Sequence, residues 1–277
     1  MFDNSNILIT GGTGSFGNTF VNMTLDKYNP DRIVIYSRDE MKQWEMSLRY
    51  EKDKRIKFVI GDVRDKDRLK SNLVGIDYVV HAAATKIIPT AEYNPFECVK
   101  TNIIGGMNVI DACMEMGVKK IVALSTDKAS NPINLYGATK LASDKLFVAG
   151  NANPQYHNSC FSVVRYGNVV GSRGSVVPLF RSLIENEATH LPVTHKDMSR
   201  FWITLQQGVN FVLSSMELMQ GGEIFVPKIP SLKILDVAKT VAPECDTEVV
   251  GIRPGEKLHE VLVSEDDARH TIEHKDS

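Results

Sequence analysis

Cysteine is scarce in this chain and shows no metal or disulfide pattern. Cys98, Cys113, Cys160 and Cys245 are scattered without a CxxC pair, so neither a zinc site nor a disulfide framework is indicated. Reduced thiols and no bound metal are expected. Charge of one sign is also missing: 32 Lys and Arg against 34 Asp and Glu leave a formal net charge of -2. That balance gives no electrostatic case for a nucleic acid or an anionic membrane surface as partner. No long apolar run or basic leader precedes the first apolar stretch, Ile7-Leu8-Ile9, so no signal peptide or transmembrane helix is expected and the cytoplasm is the expected location. Internal repeats and low-complexity tracts are absent. What is present is an ordinary globular composition, 43% apolar and 24% charged over 277 residues, enough for a full core.

Six short β-branched runs punctuate the first part of the chain: Ile7 to Ile9, Ile33 to Tyr36, Phe58 to Ile60, Tyr78 to Val80, Ile121 to Leu124 and Phe161 to Val164. Longer stretches of helical character separate them. Several runs are nearly continuous in apolar residues, as strands of a parallel sheet covered on both faces must be. The fold class is therefore α/β, a doubly wound parallel (Rossmann) sheet. After Arg165 the regularity weakens, with Gly167, Gly171 and Gly174 followed by Pro178, Pro192, Pro227 and Pro230. Residues 1–166 are expected to form the dinucleotide-binding domain. Residues 167–277 are expected to form a mostly substrate-binding region, interleaved with the first and not joined by a flexible linker.

The first strand runs into Thr10-Gly11-Gly12-Thr13-Gly14-Ser15-Phe16-Gly17. Gly11 suits the tight turn, Gly14 lets backbone approach a pyrophosphate, and Gly17 lets the helix pack close to the sheet. The second strand ends Tyr36-Ser37-Arg38-Asp39-Glu40. An acid here would meet the ribose hydroxyls of NAD, whereas Ser37 and Arg38 offer a hydroxyl and a guanidinium to a 2′-phosphate, so NADP is favoured over NAD and Asp39 is the argument against it. After the third run, Gly61-Asp62-Val63 places a carboxylate either at the adenine amino group or at a helix N-cap.

Ser125-Thr126-Asp127-Lys128 ends the fifth run shortly before Tyr136-Gly137-Ala138-Thr139-Lys140. Tyr136 and Lys140 share one helical face, where an ammonium lowers the cost of ionising a phenol that otherwise titrates near pH ~10. A tyrosinate takes the proton of a secondary alcohol while hydride leaves its carbon. Asp127 and Lys128 add a second acid and base, which suggests oxidation coupled to elimination. Their plainer readings are a helix cap and a solvated charge.

These segments resemble the extended short-chain dehydrogenase/reductases, and within them the inverting UDP-N-acetylglucosamine 4,6-dehydratases that open pseudaminic acid biosynthesis. The likeness also rests on Gly61-Asp62-Val63-Arg64-Asp65, His81-Ala82-Ala83-Ala84, Ala91-Glu92-Tyr93-Asn94-Pro95, Arg165 to Ser175, and Gly251 to Glu260. The resemblance implies that Tyr136 deprotonates the sugar 4-hydroxyl, that Lys128 removes the C5 proton and that Asp127 protonates the departing 6-hydroxyl. It places the cofactor against Gly11, Gly14, Ser15, Phe16, Gly17, Ser37, Arg38, Asp39, Glu40, Lys42, Asp62, Val63, Ala82, Lys86, Asn102, Val169, Tyr136 and Lys140. It gives the substrate, UDP-N-acetylglucosamine, to Lys86, Thr126, Asn168, Arg173, Val176, Arg200, Arg253 and Glu256, with Arg200 and Arg253 on the diphosphate. It further implies a homo-oligomer, dimer or hexamer.

Lys128 separates the chain from dTDP-glucose dehydratases, which usually carry an Asp-Glu pair here, and Tyr136 separates it from membrane-anchored relatives, which often carry Met. Three departures stand out. Lys86-Ile87-Ile88-Pro89 lacks the imidazole of the usual Lys-His-Val-Pro, which bears on substrate preference or C5 stereochemistry. Ser199 replaces a common Thr and keeps the hydroxyl. The chain ends soon after Glu260, which is expected to weaken a lid or an oligomer contact. The alternatives are a UDP-hexose 4-epimerase or reductase on the same scaffold, and an NADP-binding sensor without turnover.

Overall fold

Seven all-parallel strands form one sheet in the computed structural model, which describes residues 1–152, 158–172 and 174–274. They are β1 (Asn6–Thr10), β2 (Arg32–Ser37), β3 (Ile56–Ile60), β4 (Tyr78–His81), β5 (Lys120–Thr126), β6 (Cys160–Tyr166) and, far along the chain, β10 (Ile224–Phe225). Their order is β10-β6-β5-β4-β1-β2-β3. The strand order reverses between β1 and β4, and the crevice at the carboxyl ends of those strands is where doubly wound sheets take ligands. The central strands β1, β2, β5 and β6 are buried almost end to end, which is why their sequences read as unbroken apolar runs.

The early crossovers carry α1 (Ser15–Lys27), α2 (Glu40–Ser47), α3 (Lys66–Asn72), the short α4 (Ile88–Tyr93) and α5 (Pro95–Val99), α6 (Gly105–Met116) and α7 (Leu135–Ala149). Local chemistry fixes their ends. Asp39, Asp65 and Asn134 cap α2, α3 and α7 by accepting backbone N–H bonds, and Gly117 closes α6 in the left-handed region at φ 69°.

Beyond Tyr166 come β7 (Asn168–Val169), α8 (Val176–Glu185), β8 (His190–Val193), β9 (Ser199–Ile203), α9 (Leu205–Leu218), β11 (Ser231–Lys233), α10 (Ile234–Val241), β12 (Asp246–Val249) and α11 (Glu265–Ala268). Two small sheets, β11-β9-β7 and β12-β8, form here over a separate apolar cluster that includes Phe180, Leu191, Trp202 and Ile234. The chain also returns to the main sheet. Val209, Val212, Leu213 and Met216 of α9 join Phe20 and Val21 of α1 in the first core, and β10 extends the sheet beside β6. The ligand crevice thus lies between the main sheet and the late segments. Among the described residues, no helix is long and apolar enough to cross a membrane, and no group of His, Cys, Asp and Glu is placed to hold a metal ion.

Candidate active site

A cavity of about 770 Å³ opens at the strand reversal. Its floor is the glycine turn. Gly11 stands at φ +65°, where L side chains are strained, and a Cβ there would lie 2.9 Å from the Ala83 backbone. A Cβ on Gly17 would come within 2.2 Å of Gly12 O, so Gly17 sits behind the cavity and serves the close packing of α1 on the sheet. Gly11, Gly14, Ser15 and Phe16 line the cavity, and Gly14 begins α1 with no side-chain cap. Bare backbone at a helix N-terminus is the cradle a pyrophosphate needs, so these residues fit a dinucleotide. Thr10 ties β1 to β4: its Oγ1 meets His81 Nδ1 at 2.8 Å and accepts from the Ala82 and Ala83 amides at 3.2 Å.

At the end of β2, Ser37 Oγ accepts from Thr13 Oγ1 and from Gln43 Nε2, each at 3.2 Å. Asp39 caps α2 and pairs with Lys42 Nζ at 2.6 Å, and that hydrogen bonding holds its carboxyl below the ordinary value. Arg38 stays largely exposed on the rim. Glu40 is exposed and does not line the cavity, against expectation, whereas Lys42 of the same turn of α2 does. Asp62 is not a helix cap; Asp65 takes that role for α3. Its carboxylate accepts from Arg64 at Nε (2.9 Å), Nη2 (2.6 Å) and the backbone N–H (2.9 Å). Burial works to raise Asp62, but these bonds outweigh it and hold the carboxyl low. Asp62 and Val63 both line the cavity.

The chemical centre lies where β5 ends. Asp127–Ala129 form a single 3₁₀ turn, and α7 packs directly on it: a Cβ at Gly137 would stand 2.2 Å from Lys128 O. Lys128 Nζ donates to Asp127 Oδ1 at 3.0 Å and to Asn168 Oδ1 at 3.1 Å. Asp127 is 0% exposed, also accepts from Thr126 Oγ1 at 3.0 Å, and leaves Oδ2 without a partner. It reaches the cavity only through Thr126 and Lys128, which line it.

Tyr136 faces the cavity from α7. Lys140, one turn on, donates to Leu124 O at 2.7 Å. The expected lowering of the phenol by Lys140 is not the balance found. Burial pushes Tyr136 well above its ordinary value, and the nearby Asp127 and Asp144 carboxyls add to that. Lys140 is itself lowered by burial, against which Asp144 acts. Ser125 and Arg165 in turn bind Asp144 Oδ2 at 2.8 and 3.2 Å. Sequence reading missed this buried support.

The other expected contacts divide. Ala82, Lys86, Asn168, Val169, Arg253 and Glu256 line the cavity, Lys86 with its ammonium disfavoured by burial and Arg253 ion-paired to Glu256 at 2.6 Å. Ile87 also lines it, where relatives often place His. Asn102 does not: its amide is spent on Thr85 N (2.8 Å), Thr85 O (2.9 Å) and Thr139 Oγ1 (3.0 Å), bracing the loop that presents Lys86. Val176 packs into the late apolar cluster instead. Arg200 is buried with its guanidinium committed to carbonyls: Ser199 O (2.7 Å), Leu258 O (3.2 Å) and Lys257 O (3.0 Å). It is therefore not placed on a diphosphate. Arg173 lies outside the described residues. Sequence reading also missed Glu260, whose Oε1 stands 3.9 Å from Lys128 Nζ. Its charged neighbours there resemble an exposed i,i+3 pair, which gives no signal of burial.

The sequence matches the polysaccharide biosynthesis protein family over residues 7–277. It is 59% identical over 273 residues to UDP-N-acetylglucosamine 4,6-dehydratase (inverting) of Campylobacter jejuni subsp. jejuni serotype O:2, covering 99% of this chain and 81% of that protein. UDP-glucose 4-epimerase of Rickettsia canadensis is 40% identical over 274 residues, covering 96% and 80%. Among solved structures, Pen from Bacillus thuringiensis superposes with a TM-score of 0.93 at 38% identity, covering 97% of this chain and 86% of that one.

Proposed function

The chain belongs to the polysaccharide biosynthesis protein family, a group of extended short-chain dehydrogenase/reductases, and from that premise we propose that it is an NADP-dependent, C5-inverting UDP-N-acetylglucosamine 4,6-dehydratase. Its product is a UDP-2-acetamido-2,6-dideoxy-hexos-4-ulose, formed in the cytoplasm by a homo-oligomer as an opening step toward pseudaminic acid. The observation that carries the reading is the Asp127–Lys128 couple, 3.0 Å apart, on the turn against which the Tyr136 helix packs.

An oxidised nicotinamide held in this cavity would supply the acceptor for the C4 hydride, its return to C6, and a positive charge that favours a phenolate at Tyr136. Tyr136 takes the proton of the 4-hydroxyl. The 4-ketone then acidifies C5–H, and elimination needs a neutral amine and a carboxylic acid side by side. One proton passed from Lys128 Nζ to Asp127 converts their ion pair into that state. Lys128 then takes the C5 proton while Asp127 gives its own, relayed through the Thr126 hydroxyl that hydrogen-bonds it, to the leaving 6-hydroxyl, and the two transfers together restore the ion pair. Completing the product requires a proton at C5, delivered for inversion to the face opposite the one it left.

NADP is supported by how the β2 end is occupied. Asp39, the acid that would favour NAD, is engaged by its helix and by Lys42, while Ser37 and Arg38 line the cavity with a hydroxyl and a guanidinium. The likeness to a UDP-glucose 4-epimerase keeps epimerisation as the competing reaction, which needs neither Asp127 nor Lys128 as an eliminating pair.

Product NMR after incubation with UDP-N-acetylglucosamine in D₂O tests the reading. A 4-keto-6-deoxy sugar with L-arabino couplings and deuterium at C5 is expected. A 4-epimer with its 6-hydroxyl intact would overturn dehydration, D-xylo couplings would overturn inversion, and protium at C5 would overturn loss of the original C5 proton to an exchanging base.

A further inference from the structure

Between Gly255 and Leu262 the chain has no helix or strand, yet it is stitched to the site from several sides. Asn134 Nδ2 donates to Gly255 O at 2.7 Å, Arg200 reaches Lys257 O and Leu258 O, and Arg165 Nη1 donates to Leu262 O at 3.1 Å. Ser199 adds its backbone N–H to Leu258 O (3.1 Å) and its hydroxyl to His259 Nδ1 (2.8 Å). The effect is to press two opposite charges inward. Glu260 is buried with Oε1 3.9 Å from Lys128 Nζ and Oε2 3.2 Å from Lys257 Nζ, and Lys257 also donates to Ser130 O at 2.7 Å. A buried carboxylate is costly unless paired, so its place between two lysines needs a reason.

We propose that Glu260 is a positioning residue of the proton-transfer site, and that the Glu260–Lys257 couple sets the pH up to which the Asp127–Lys128 pair keeps the proton it passes between its members. The proposal deepens the dehydratase reading and rests on it for its catalytic meaning. Asp127, Lys128, Glu260 and Lys257 form an alternating row of negative and positive groups. Glu260 opposes loss of the Lys128 proton and aims Nζ along the line between Asp127 and Asn168. Lys257 tempers that hold by neutralising Glu260 from behind. The other groups around Lys128 are neutral or more remote: Thr126 and Asn168 are uncharged, Tyr136 faces the cavity from α7 with Lys140 and Asp144 deeper in the same helix, and Tyr166 and Arg165 stand on β6. Among the described residues, only Asp127 and Glu260 bring a carboxylate within 4 Å of Nζ.

Two variants should move one observable in opposite directions. Glu260→Gln should shift the alkaline limb of the dehydration rate, where Lys128 loses its proton to solvent, down by about one pH unit, and slow dehydration relative to the preceding C4 oxidation followed as cofactor absorbance in a single turnover. Lys257→Met leaves Glu260 uncompensated and should shift the same limb up, by less. Glu260→Gln with Lys257→Met should return it toward the parent. The pH dependence of Lys128 labelling by acetic anhydride, read by mass spectrometry without substrate, should show the same two shifts, and so separates this proposal from failure of the dehydratase reading. Shifts of the same sign, or no shift in either variant, would overturn it. If Glu260→Gln does not fold, Lys257→Met decides alone, and labelling unshifted or shifted downward refutes the role.

Discussion

Arg38 gives the most direct measure of which dinucleotide the chain takes. Its side chain is 57% exposed and its nearest acid, Asp62, lies 3.7 Å away, already held by Arg64 at 2.6 Å. An exposed, competed ion pair contributes well under about 1 kcal/mol, so Arg38→Ala should leave the free protein's stability nearly unchanged. Loss of cofactor affinity then reports the cofactor contact alone. A hydrogen bond to a charged partner contributes about 1.5 to 3 kcal/mol. Solvent screening at so exposed a side chain argues for the bottom of that range or just below, about 1 to 1.5 kcal/mol, or roughly 5- to 13-fold in Kd for NADP. NAD has no 2′-phosphate and should lose less than about twofold. Isothermal calorimetry with both cofactors at low and high salt makes the comparison, and the NADP difference should shrink as salt rises. Equal losses for the two cofactors would refute the assignment. So would a salt-independent loss, since that points to packing and not to charge.

Two further expectations concern the centre and its support. Tyr136→Phe should abolish both hydride transfer and dehydration, whereas Asp127→Asn should keep the transient reduction of bound cofactor and slow water loss; a folded Asp127→Asn protein without that transient would show that Asp127 serves the first step instead. His81 is pulled down to about 3 from its ordinary 6.5, mainly by burial and then by the Lys140 charge. Above pH 6.5 the imidazole is neutral folded or unfolded; as pH falls from 6.5 toward 3 only the unfolded chain takes up the proton, so stability declines by about 1.4 kcal/mol per pH unit from this group. Urea unfolding should therefore show His81→Gln losing about 2 kcal/mol less than the parent between about pH 6.5 and 5, and an equal decline in both would refute it.

What was legible in the sequence follows from range. The inner strands announced themselves because a sheet covered on both faces forces nearly unbroken apolar runs, a property of each segment alone, whereas the edge strand β3 showed only its last three residues because Lys57 interrupts it. β10 did not, since Ile224 and Phe225 are too few to show a period and become a strand only through their partners Val163 and Val164 on β6. The same distinction runs through the site. Tyr136 and Lys140 are bound by helical spacing, and Asp127 and Lys128 by adjacency, so local pattern sufficed to find them. Arg200 and Glu260 show the opposite case. A charge in a sequence does not say whether it meets a phosphate, a carbonyl or another buried charge; that depends on which distant segment folds over it. Here the late segment around Leu258 folds over both, turning Arg200 from an expected ligand into the clamp that holds the segment down. The same fold brings Glu260 from a run of charged residues to within 3.9 Å of the Lys128 amine. Sequence spacing therefore locates the groups proposed to exchange protons with substrate, while the buried charges beside them emerge only from how the late segment folds over the site.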